Sequence, residues 1–162
     1  MPNQTVKPLV IAGTFLGIGM GGFADGILLH QLLQTHNMLS ARLPKTSITN
    51  MEINMFWDGL FHALTWTMTA AGLWLFWRVA RRADVLWSAK AFLGALFLGW
   101  GAFNLVEGII DHHILDLHHV IERLGVSVFD YAFLASGVLF IAGGIIAIRS
   151  ASDERAAETT RI

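Results

Sequence analysis

Residues 91–107 read AFLGALFLGWGAFNLVE, sixteen residues without a charge and then a glutamate. The run does not alternate and is far too long for a strand, so it is a helix. A bilayer-spanning helix needs about 20 residues, so this one must carry Glu107 into or against the membrane. The same grammar recurs in three other places. An apolar run from Pro8 meets no charge until Asp25. A second, from Ile53 to Trp77, is broken by Asp58 and His62. A last one covers Tyr131 to Ile148. The expectation is an all-α integral membrane four-helix bundle in a single domain, residues 1–162. Its helices would lie at about 8–31, 51–78, 89–113 and 128–149, with residues 150–162 a flexible tail. Ser88, and Thr49 with Glu52, look like helix N-terminal caps.

Composition agrees. The chain is 54% hydrophobic and 14% charged, too little polar surface to cover a soluble core. Its net charge of -1 gives nucleic acid no reason to bind. It has no cysteine, which excludes disulfides, thiolate metal sites and cysteine nucleophiles. Only Lys7 precedes the first apolar run, which continues into polar residues, so a retained helix is expected rather than a cleaved leader.

In a four-helix threading, Lys7, Arg78, Arg81, Arg82, Lys90, Arg149, Arg155 and Arg161 fall on one side. Arg42, Lys45 and Arg123 fall on the other. The richer side is cytoplasmic by the positive-inside rule, and both termini are on it. Gly13, Gly17 and Gly21 recur every four residues, a seam that lets helices approach closely in lipid.

Depth ties the polar residues together. Counting from the basic inner boundary of each helix, Asp25 is 18 steps out and Asp58 is 20. His62 is 16, Glu107 is 17, Asp111 is 21 and Asp130 is 19. At 1.5 Å per residue these groups share one slab, about 24–32 Å from the inner side. His30 and His112 would lie about a turn further out. All seven histidines fall in the outer half or the outer loops, and no lysine or arginine lies at this depth. One charge near the bilayer core costs about 2.5–3.5 kcal/mol, so several carboxylates together call for a cation.

The candidate metal ligands are therefore Asp25, His30, Asp58, His62, Glu107, Asp111, His112, His113 and His119. Glu107 or Asp111 is the expected proton carrier or bridge. Asp58 and His62 share a helix face, as do Glu107 and Asp111. Asp25 and His30 diverge by about 140° in an α-helix and serve one site only with a bend, which Gly26 permits, or from two sides of a broad site. His36 and His118 suit loop positions with imidazoles in water, and Asp130 suits a solvated cap.

Nitrogen and oxygen donors without thiolates favour a transition metal. Copper is suggested by Met38, Met51 and Met55 nearby, iron is equally favoured, and zinc also fits. Haem on His30 and His62 is opposed by the carboxylates around them, since haem needs apolar walls. The expected activity is metal-dependent redox chemistry of an oxidase or hydroxylase kind. The alternative is a non-enzymatic copper or zinc handling factor for a membrane complex. Partners to expect are the lipid bilayer and either another membrane protein or a second copy.

The motifs FADGILLHQLLQTH, FWDGLFHALTW and FNLVEGIIDHHILDLHHV resemble those of an uncharacterised bacterial family of predicted membrane proteins. The resemblance covers residues 8–148. It implies four membrane helices in a bacterial inner membrane and no particular substrate. The histidine clusters are also similar to those of membrane desaturases and hydroxylases. Those enzymes are much longer and turn their histidines to the cytoplasm, whereas here the cluster faces the extracytoplasmic side.

Overall fold

The computed structural model describes residues 5–160, with side chains as far as residue 154. Arg161, counted above for orientation, lies outside the described residues, as does the side chain of Arg155.

Four long helices account for the fold, and no strand forms among the described residues. Helix α1 is Lys7–Asp25, α2 is Ile48–Ala80, α3 is Ala89–Glu107 and α4 is Val128–Thr160. The last helix thus continues through the segment expected to be a flexible tail. Ser88 caps α3 as its sequence suggests, its hydroxyl accepting from the Ala91 amide at 3.1 Å. The cap of α2 is Ser47, which accepts from the Asn50 amide, and not Thr49. Ser47 is extended while Thr49 is already helical, and only an extended residue can aim its side chain back at the first free amides.

α1 and α3 form the central pair, with α2 packed on α1 and α4 packed on α3. The central pair is close because glycines leave room for it. A methyl group at Gly17 would strike the Leu96 carbonyl, and one at Gly99 would strike the Thr14 carbonyl. Such backbone contact is how helices adhere in lipid, where apolar side chains gain nothing by leaving the solvent.

Lys7–Leu32, Ala89–Ile114 and Val128–Glu154 are long and apolar enough to cross a membrane. α2 has the length, 33 residues, but more polar content. Its outer face still shows Leu60, Leu64, Trp66 and Leu73. At the end that holds both helix starts, Leu9, Val79 and Val85 make a small apolar core with Phe76 and Phe92. Thr5 is tied there to the α2–α3 turn by bonds with Asp84 and Leu86. The histidines all belong to the opposite end.

Candidate metal centre

α1 and α3 both change character at a carboxylate. After Asp25 the chain winds as a π-helix over Gly26–Leu32, and after Glu107 over Gly108–Ile114. A π turn bonds residue i to i+5, so it stacks residues that an α-helix would set apart. His30 is five residues from Asp25, and His112 five from Glu107. Accordingly His30 Nε2 lies 3.1 Å from Asp25 Oδ2, and His112 Nε2 lies 3.1 Å from Glu107 Oε1. This winding, which begins at Gly26, supplies the bend considered for Asp25 and His30.

Two residues beyond each π segment the chain enters the left-handed region, at Gln34 (φ 52°) and Asp116 (φ 50°). The chain then turns back over the helix ends and brings in His36 and His118. Neither imidazole faces water; both are 0% exposed. Their rings stack at 4.5 Å with 8° between the planes.

The two halves answer each other contact for contact. Asp25, His30, Gln34 and His36 stand 82 residues before Glu107, His112, Asp116 and His118. His36 Nδ1 donates to the Val120 carbonyl at 3.1 Å, and His118 Nδ1 donates to the Met38 carbonyl at 3.1 Å. His30 Nδ1 meets Asp58 Oδ1 of α2 at 3.0 Å, while His112 Nδ1 meets Asp130 Oδ1 of α4 at 3.1 Å. Asp58 also accepts the Met38 amide, and Asp130 accepts the Val120 amide. Phe61 lies on the His30 ring as Phe133 lies on that of His112. Such reciprocity is that of two halves in an approximate two-fold relation, meeting where the His36 and His118 rings stack.

These contacts set the tautomers. A carbonyl can only accept, so His36 and His118 carry a proton on Nδ1. Burial, reinforced by the neighbouring His118 and His30, depresses His36 to a pKa of about 2, so it is neutral. Its Nε2 lone pair is buried without a partner. Burial works against protonating His118 as well, but its hydrogen bond to Glu107 (2.7 Å) prevails and raises its pKa. Asp25 Oδ2, His30 Nε2 and Glu107 Oε2 are likewise buried without hydrogen bonds. The ion pairs of Asp25 and Glu107 among the described residues are with histidines alone. Among the described residues, two groups of donors lie close enough to hold an ion: His30, His36 and His118, and Glu107, His112 and His118.

DUF2243, a family of predicted membrane proteins, matches residues 12–151. The chain belongs to that family. No curated protein and no solved structure matches it. The DUF2243 match spans both carboxylate–histidine motifs, and the membrane fold expected from the resemblance stands.

Of the residues singled out in the sequence, Asp25, His30, Glu107 and His112 meet in the centre of this DUF2243 protein. Asp58 supports it from behind His30. His119 is buried at its edge, its Nε2 3.0 Å from Asp116 and its ring 6.4 Å from that of His112. His62 is half-buried; its Nδ1 donates to the Asp58 carbonyl and its Nε2 has no partner. His113 is exposed and packs on Tyr131, away from the donors. Asp111 is half-buried beside the centre, with no hydrogen bond to its carboxyl among the described residues.

Sequence reasoning missed His36, His118 and Asp130 as parts of the centre. Asp130 is not a solvated cap: it is 0% exposed, accepting from Ser127 as well as Val120. Placing residues 25–36 beside residues 107–118 reveals the shared pattern of acid, Gly-Ile, His and a second His, and would have found the two histidines.

Proposed function

We propose that this chain is a four-span inner-membrane metalloprotein that holds a redox-active transition metal at the extracytoplasmic end of its helices. One observation carries the reading: buried imidazoles with Nδ1 engaged behind them turn Nε2 toward two buried carboxylates that no lysine or arginine among the described residues balances. An outer acceptor on Nδ1 is what fixes a metal-binding histidine and makes it more basic. Each buried, unbonded polar atom costs about 1–3 kcal/mol. A cation relieves several of them together.

Iron suits the donors best, since two histidines and one carboxylate are its usual set in oxygen-using enzymes. Two of the methionines that suggested copper, Met51 and Met55, line an open cleft with His30, Asp58 and His62 on its wall. They are 47% and 67% exposed on α2, and Met38 joins through its carbonyl. Bound iron supplies one-electron and oxygen chemistry; the protein supplies access and protons. A cleft of about 510 Å³, walled by Trp57, Leu60, Leu64, Phe103 and Val106, ends at Glu107 and Asp111. It would admit a lipid-soluble substrate from the bilayer. Asp111, with its carboxyl free of the protein, is placed to exchange a proton with that substrate.

Elemental analysis of detergent-purified protein tests the reading. His118→Ala and Glu107→Ala should each remove most of the bound metal, while His113→Ala and Asp116→Ala should retain it. Equal metal in all four variants would reduce the cluster to structural hydrogen bonding. Burial of His36 and His118 also favours retention over handling. Loss of metal to a moderate chelator within minutes would turn the reading to a metal-handling factor.

A further inference from the structure

Six inward-facing donors gather where one ion needs three or four protein ligands. They divide evenly between the two halves, a carboxylate and two imidazoles from each. We infer that the centre is dinuclear, with one ion on Asp25, His30 and His36 and the second on Glu107, His112 and His118. This rests on the metal reading above and goes beyond it in number and assignment.

Distance is the first reason. Donors of a single ion, bound at about 2.0–2.2 Å, lie within about 4.4 Å of one another. Here the donor atoms that lie within 4.8 Å of one another are those of His30, His36 and His118 in one group and of Glu107, His112 and His118 in the other, and neither group holds both His30 and His112. Asp25 joins the first through His30, whose Nε2 is 3.1 Å from its Oδ2. One ion therefore cannot reach both ends of the cluster without moving the helices. Two ions can sit side by side, one in each half.

The groups share His118, and chemistry resolves the overlap. An imidazole bridges two metals only through both nitrogens, and His118 Nδ1 is committed to the Met38 carbonyl. Its Nε2 lone pair serves one ion. His118 Nε2 already lies 2.7 Å from Glu107, so it belongs to the second set. The matching position in the first set is His36, whose Nε2 is buried and unpaired.

Charge is an independent reason. Asp25 and Glu107 with their supports Asp58 and Asp130 bring four carboxylates to the centre, four negative charges when all are ionised. No lysine or arginine forms an ion pair with any of the four among the described residues. One divalent ion offsets half of that charge in a poorly polarisable setting, and two offset all of it. Each set also leaves coordination positions open, as an iron centre with two histidines and a carboxylate does.

The test uses the whole chain in detergent, stripped of metal and titrated without oxygen with cobalt(II) alone. Bound cobalt is read by elemental analysis and by its visible absorption. Two ions per wild-type chain are expected, falling to about one in His30→Ala and about one in His112→Ala, and to none in the double variant. Circular dichroism checks that each variant keeps its helices, and the wild-type stoichiometry decides even if they do not. One ion per wild-type chain would overturn the dinuclear assignment while leaving the metal reading intact. No bound ion in the wild type would overturn both.

Discussion

His36 and His118 show how a side chain is committed before any ligand arrives. Each gives its Nδ1 proton to a carbonyl in the opposite half, so neither ring can flip without breaking that bond. Asp58 and Asp130 do the equivalent for His30 and His112, and add charge that strengthens the imidazole as a donor. Asp58→Asn and Asp130→Asn should therefore leave every proposed ligand in place yet weaken metal binding about 10–100-fold. Competition with a chelator of known affinity measures this. Unequal losses, with one variant near wild type, would mean that the two halves do not support their ions alike.

At the scale of elements, the π segments and the glycine seam set the geometry. Gly17 and Gly99 hold α1 and α3 close enough for the two sets of histidines to stack. Gly17→Leu would push its side chain into the Leu96 carbonyl, with an overpacking cost of about 1–3 kcal/mol. It should lower the thermal midpoint in detergent and weaken metal binding, although Gly17 lies two turns or more from the nearest donor. An unchanged midpoint would show that the seam is slack.

The helices were legible in the sequence because apolar runs and caps are local signals, and the shared depth of Asp25, Asp58 and Glu107 followed from simple rise. The donors beyond them were less so. Counting at α-helical pitch sets Asp25 and His30 on different faces, and nothing local in residues 26–32 announces the wider turn. His36 and His118 follow apparent helix ends at Gln34 and Asp116, neither of them glycine, so the reversal that buries them is invisible to composition.

For the whole molecule, two hairpins stand side by side, each an inner helix with its donors and an outer helix with the supporting aspartate. The four spans proposed above would put residues 33–47 and 115–127 on one side of the membrane and residues 81–88 on the other. The chain has no cysteine, so single cysteines report cleanly. Thr46→Cys and Ala83→Cys should label from opposite sides in intact cells, Ala83→Cys only after the inner face is opened. Labelling from the same side would remove α2 as a span.

The exchanged histidine bonds also impose an order on biogenesis. When the first hairpin leaves the ribosome, the acceptor for His36 at Val120 has not yet been made, and Met38 waits for His118. The first half enters the bilayer with its carboxylates and imidazoles assembled on only one side. Completion must wait for residues 118–130, almost the last to be translated before the final helix inserts. On the metal reading proposed above, loading would wait until both halves have been made, which would keep the nascent protein from taking up an ion at a half-built site.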